Sequence, residues 1–222
     1  MAASKSIMHF LVDSNESMAQ NTSSMHGESK LNVAKSAIIT YCCQRNLDSK
    51  TVEFALTSYG DSVTDNAMAA SDPNSGYDNI NDVIRMETMT QDSYQRIHRM
   101  QPSVGTGIKP NTISALLSTF DALVKAKKNY KYNRTMVLVT DGENVIAEDD
   151  DDMEDLTNVT KALNKGNAAA LVKPIPLYVM LTGKVTHTSS KIKRENSKLL
   201  QSLAESTGGG YVEAENMGDI LW

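Results

Sequence analysis

The sequence predicts an α/β fold: a single domain over residues 1–222, with a doubly wound, mostly parallel central sheet flanked by helices and one antiparallel edge strand. Three observations carry this. Short, nearly continuous apolar runs recur along the chain, as strands buried on both faces require. Amphipathic helical stretches separate them, and strand alternating with helix favours parallel pairing. A length of 222 residues with 40 % hydrophobic content suits one core of ordinary domain size.

Residues 7–12 read as the first buried strand. Residues 31–45 follow as a helix, with Leu31, Ala34, Ile38, Tyr41 and Cys42 on one stripe. Residues 52–58 form a second strand. A long excursion comes next: polar turns over 61–77, an edge strand near 79–86 and a short helix near 91–100. Residues 112–127 give the clearest helical period, through Ile113, Leu116, Leu117, Phe120, Leu123 and Val124, and Pro110-Asn111 starts it. Residues 135–140 are a buried strand. Residues 152–164 read as a helix whose acidic first turn suits the macrodipole. Residues 175–181 are a strand with Pro176 near its beginning. Residues 192–207 are a helix stopped by Gly208-Gly209-Gly210, and Tyr211-Val212 starts a last strand. No internal repeat is visible. The ending Ile220-Leu221-Trp222 reads as a cut through a further element, so the chain is expected to be an excerpt of a longer protein.

Bulk charge excludes one class of function. The formal net charge is −5, whereas duplex binding depends on Lys and Arg neutralising phosphates, so this chain is not expected to hold DNA unaided. The two cysteines, Cys42 and Cys43, are adjacent and suit a reduced, intracellular compartment. No signal peptide or membrane span is expected, and the sequons at Asn133 and Asn158 read as chance matches. His9, His26, His98 and His187 have no metal spacing, and His9 reads as a packed core residue.

In an open parallel sheet, ligands sit beyond the carboxyl ends of the strands. Asp13 ends the first strand within Asp13-Ser-Asn15-Glu-Ser17, Asp141 ends the strand 135–140, and Thr112 opens the long helix. If the two strands are neighbours, these loops converge. Asp13 and Asp141 would then supply charge, Asn15 a carbonyl, and Ser17 and Thr112 hydroxyls, in outline a site for a hard cation such as Mg²⁺. The same residues admit a plainer reading: Asp13 and Ser17 satisfy loop amides, and Asp141-Gly142 makes a turn.

The set resembles the metal-ion-dependent adhesion motif of von Willebrand A-type domains, Asp-x-Ser-x-Ser followed by a Thr and then an Asp. The match is Asp13, Ser17, Thr112 and Asp141, and Asn15 departs from the middle Ser. That departure fits a retained fold whose metal function has decayed. A second resemblance is narrower. The stretch from Phe54 through Tyr59-Gly60 to Thr64-Asp65-Asn66, the downstream Tyr77-Asp-Asn79-Ile80, the Gln44-Arg45 pair and Met100-Gln101-Pro102 are similar to the N-terminal A-type domain of the larger Ku subunit, of the fungal branch. The anchors run from Asp13 to Asp141.

The resemblance implies a non-enzymatic protein-interaction domain of a nuclear, DNA-end-binding heterodimer. Its roles would be non-homologous end joining, telomere maintenance and telomeric silencing. Implied partners are the smaller Ku subunit and repair or telomeric silent-chromatin proteins that dock short peptides. DNA would be held by a ring region beyond this domain, at nuclear and telomeric sites. It implies no cofactor beyond a possible Mg²⁺ at the degenerate site. Thr64, Asp65, Asn66, Met68, Tyr77, Asn79 and Ile80 are one candidate docking ledge, because apolar side chains interrupt a polar loop there. Met68 and Ile80 can equally pin the loop to the core. Asp155, within the acidic run 148–155, marks a second, and from Asp141 to Asp155 there are nine acidic residues and no basic one. Lys125, Lys127, Lys128, Lys131 and Arg134, and separately Lys191, Lys193 and Arg194, read as solvated helix faces.

Rival classes leave weaker traces. A strand-end-Asp phosphatase needs a second Asp at the position Asn15 occupies. Gly105-Thr-Gly107 lacks the rest of a phosphate loop, and no Ser-His-Asp or Cys-His pattern is visible. A metal-dependent A-type domain of another intracellular complex is the nearer alternative.

Overall fold

A computed structural model describes residues 5–22, 28–48, 52–74, 76–126, 132–144, 146–169 and 172–214. The elements in chain order are β1 (Ser6–Asp13), α1 (Lys30–Asp48), β2 (Val52–Tyr59), α2 (Ala67–Ser71), β3 (Ile80–Glu87), α3 (Gln91–Arg99), α4 (Thr112–Lys125), β4 (Asn133–Thr140), α5 (Asp150–Lys165), β5 (Leu177–Thr182), α6 (Lys191–Ser206) and β6 (Tyr211–Ala214). A 3-10 turn at Glu16–Ala19 follows β1. The six strands form one sheet in the order β3-β2-β1-β4-β5-β6. Every pair is parallel except β2 with β3.

The expected fold class is therefore the one observed, down to the antiparallel edge strand. From β1 the chain winds outward through β2 to β3, then returns to lay β4 against the other side of β1. That reversal is the topological switch point where α/β sheets place ligand sites. The β1–β4 register runs from Ser6 opposite Asn133 to Val12 opposite Val139, so the two strands finish level.

Two apolar layers sandwich the sheet. On one face, Ile7, Leu11, Leu138, Val179 and Leu181 pack with Leu116 and Leu123 of α4, Leu156 and Leu163 of α5 and Leu200 and Leu203 of α6. On the other, Phe10, Val12, Phe54 and Leu56 pack with Leu31, Ala34, Ile38 and Cys42 of α1 and Ile97 of α3. Burying a Leu, Ile or Phe side chain is worth about 1.5–3 kcal/mol each, so these layers dominate the stability.

Local chemistry sets the element ends. Thr90 caps α3 through a capping box with Ser93, with Asp92 early and Arg96 and Arg99 late in the helix. Asp149 caps α5, three aspartates fill its first turn, and Gly166 at φ 62° ends it. The expected short helix near 91–100 is α3, whereas the helix within the polar turns, α2, is not expected from the sequence. It is one short turn capped by Asn66, below the length at which periodicity can speak. His26, Lys127, Lys128, Lys131 and the ending 220–222 lie outside the described residues.

The basic clusters need correction. Arg134 is buried: its Nε donates to Leu123 O at 2.9 Å and one terminal nitrogen to Tyr132 O at 3.3 Å, which ties β4 to the end of α4. Lys193 is also buried, with Nζ 3.8 Å from a Glu143 carboxylate oxygen. These two are internal ties and not solvated faces, whereas Lys125 and Lys191 do face solvent and pair along their helices with Asp121 and Glu195.

Candidate functional site

The sequence-marked residues meet at the carboxyl ends of β1 and β4. Asp13 Oδ2 accepts a hydrogen bond from Thr140 Oγ1 at 2.9 Å, across 127 positions of sequence. Asp13 Oδ1 accepts from the backbone N–H of Asn15 at 3.1 Å and also from the Asn15 side-chain amide. Asn15 Oδ1 in turn accepts from Ser17 N at 2.7 Å and Ser17 Oγ at 2.6 Å, capping the 3-10 turn. Thr112, Asp13, Asn15 and Asp141 are buried, and Ser17 is half-buried.

Asp141 is held on the other side. Its Oδ1 accepts from Glu143 N at 3.0 Å, and its Oδ2 meets the Lys30 ammonium at 2.8 Å. Gly142 turns the chain at φ 71°, where a side chain would strike Leu181 Cδ1. Two carboxylates buried at neighbouring strand ends repel. Burial foremost, and the Asp141 charge after it, push the Asp13 carboxyl up to about 7, and the Asn15 and Thr140 hydrogen bonds pull only partly against them. The set is closed by internal bonds and does not fit a divalent cation: an amide N–H and an ammonium face the two carboxylates. Among the described residues, no group of three His, Cys, Asp or Glu is placed to hold a metal.

Three members of the site escaped sequence reasoning. Lys30 opens α1 and reaches both Asp141 and, at 3.3 Å, Gln20 Oε1. It stands four residues before Ala34 on the buried stripe, so a lysine in a core register was the available signal. Tyr59 ends β2, fully buried, with its phenol near the Thr112 and Thr140 hydroxyls but aligned for a hydrogen bond with neither. Burial first, then the Asp13 charge, raise its pKa well above the ordinary tyrosine value. Thr140 was read as strand and is the link between the halves. Gly60 follows Tyr59 at φ 66°, and a Cβ there would crowd Pro110 and Asn15 at 3.1 and 3.2 Å. The Tyr-Gly pair thus inserts the phenol and lets the neighbouring loops close over it.

A sequence model of the von Willebrand factor type A domain matches residues 8–143, which span β1 to β4 and hold every residue of this cluster. The chain belongs to the von Willebrand factor type A domain family. No curated protein matches the sequence. Among solved structures, the A-type domain of SpRpn10 is similar in fold, with a TM-score of 0.63 at 12 % identity over 99 % of this chain and 94 % of that one. Domains of this family are protein-interaction modules, and this A-type domain is one of them.

The second sequence-marked region of the A-type domain is a clasp. Asn79 N donates to Thr64 Oγ1 at 2.8 Å, Asp65 N donates to Ile80 O at 3.1 Å, and Asp82 N donates to Asp65 O at 2.8 Å. Asn66 is buried; its Oδ1 accepts from Ala69 N and its Nδ2 donates to Tyr77 O at 3.0 Å and Ile80 O at 2.8 Å. Asn79 holds φ 60°, a left-handed conformation that asparagine tolerates better than most residues. Ile80 belongs to the core, so the pinning reading is the right one for that residue. Met68 stays half-exposed on α2. Tyr77 is half-buried, and burial first, then the charges of Asp121 and Asp155, raise its pKa. Tyr77 of the excursion and Asp155 of the acidic helix, two separate candidates in the sequence, therefore share one neighbourhood.

Proposed function

We propose that this A-type domain is a protein-interaction domain of a Ku subunit, the larger one. It recruits partners for end joining, telomere maintenance and telomeric silencing, and works in the nucleus, including at telomeric chromatin. The clasp carries the reading. Thr64-Asp65-Asn66 and Tyr77-x-Asn79-Ile80, the two motif halves by which the sequence resembles Ku, are joined by direct hydrogen bonds into one structural unit. A motif whose separated parts interlock is less easily a coincidence of composition.

The clasp presents Tyr77 beside Asp121 and Asp155, with Met68 on the adjoining helix. A half-buried tyrosine within reach of two carboxylate charges suits a short peptide carrying one hydrophobic and one basic residue. The smaller Ku subunit is the proposed constitutive partner, and DNA is held elsewhere in the assembly, consistent with the charge of −5. The domain performs no catalysis in this reading: Asn15 stands where a phosphatase would need its general acid.

Co-purification from nuclear extract tests it, with the chain as bait beside its Tyr77→Ala and Met68→Glu variants. Repair or telomeric-chromatin proteins should be recovered and lost in both variants. Recovery of an unrelated complex, with no smaller Ku subunit retained by the full-length protein, would overturn the assignment.

A further inference from the structure

We infer that the Lys30 ammonium is a built-in cation: it neutralises Asp141 at the strand ends, so that the cation position of the site is filled by the chain itself. Asp13 and Asp141 are both buried at the level ends of neighbouring strands. A buried pair of carboxylates needs a compensating positive charge or a proton. Lys30 Nζ lies 2.8 Å from Asp141 Oδ2, with the carboxylate side chain inaccessible and the lysine side chain 9 % exposed. A second contact, to Gln20 Oε1 at 3.3 Å, orients the ammonium.

The rest of the cluster is arranged around that occupancy. A hard divalent cation wants about six oxygen ligands. Here Asn15 turns its amide N–H toward Asp13, and the assignment is fixed from the other end, because Asn15 Oδ1 accepts two hydrogen bonds from Ser17. The Thr140 hydroxyl is committed to the remaining Asp13 oxygen. Lys30 is anchored by position: it is the first residue of α1, and its backbone N–H donates to Gln20 O at 2.9 Å. Lys30 and Asn15 together convert an oxygen cage into a closed network of donors and acceptors. A corollary follows for recognition. An exchangeable metal can take a carboxylate from a partner as an extra ligand, whereas a buried ammonium bonded to Asp141 and Gln20 cannot. Partners of this domain therefore do not bind it through a carboxylate–metal bond at the strand ends.

Thermal melts of the whole 222-residue chain with excess EDTA and with about 10 mM Mg²⁺ or Mn²⁺ test this. The native chain should melt at the same temperature in both. Lys30→Met should melt lower in EDTA and recover by about 5 °C or more with cation, and Lys30→Met combined with Asn15→Ser should respond more strongly. A cation-dependent rise of several degrees in the native chain would overturn the inference. So would a folded Lys30→Met variant indifferent to cation. If neither variant folds, Mn²⁺ titration of the native chain by electron paramagnetic resonance decides: stoichiometric tight uptake refutes a filled site, and no uptake supports it.

Discussion

His9 offers a sharp test of how this sheet responds to acid. It sits within β1, with Nε2 2.8 Å from Thr57 Oγ1, and the Thr57 hydroxyl donates its own hydrogen bond to Asp82 Oδ1 at 2.8 Å. Because the Thr57 hydrogen points at Asp82, Nε2 is the imidazole donor, and Nδ1 is left buried without a partner. Burial pushes the His9 pKa down to about 3 from an ordinary 6.5. A depressed pKa means that the native state refuses a proton the unfolded chain accepts. The associated stability is intact above pH 6.5 and is lost as pH falls from there toward 3. At pH 5 the unfolded chain gains about 2 kcal/mol by protonating this one imidazole, at about 1.4 kcal/mol per pH unit. Asp13 acts in the opposite sense: its pKa is raised to about 7, so its neutral form favours the fold below that pH. The raw acid sensitivity of the protein is therefore a poor readout, and a comparison cancels the second group. Urea unfolding of the native chain and His9→Gln, followed by circular dichroism at pH 8 and pH 5, gives the stability gap at each pH. The gap should shift by about 2 kcal/mol in favour of the variant at pH 5. An unchanged gap would mean that His9 already titrates near its ordinary value in the native state, and the desolvation argument would fail.

Other outcomes follow from the same contacts. Asn66→Ala removes the α2 cap and two buried bonds to Tyr77 and Ile80, and should cost about 2–3 kcal/mol by urea unfolding; a loss under about 0.5 kcal/mol would show the clasp to be incidental. Gly209→Ala places a methyl group on the backbone of Leu177, so the β5–β6 end must shift, and a drop in melting temperature of several degrees is expected. With an aromatic disulfide reagent, Cys43, exposed on α1, should react at once, while Cys42, buried and with its thiol pKa driven up, should wait for unfolding. Two equally fast thiols would contradict the packing of α1.

What was legible in the sequence is what repeats. The stripe of α1 and the period of α4 follow from residues that all face one core, and each strand reads as a run because both sides are covered. Asp13, Thr112 and Asp141 were readable because strand ends and helix starts are where a parallel sheet gathers polar groups. Lys30, Lys193 and Arg134 were not, because a long basic side chain is normally solvated, and only tertiary pairing reveals the exceptions. The clasp was visible as two motifs and invisible as a contact. Nothing local in Thr64 announces that its hydroxyl will meet the backbone of Asn79 fifteen positions on.

The clasp also bears on how the molecule avoids its own kind. β3 is an outer strand, and an outer strand offers a row of unclaimed amides and carbonyls to any other extended chain. Asp65 covers part of that row, since its N–H and C=O bond to Ile80 and Asp82 in a parallel bridge beside Asn81. Further along, register shifts against β2 and the charges of Arg85 and Glu87 spoil the template. A chain that loses the clasp should uncover a sticky margin, with self-association rising with concentration before the core itself gives way.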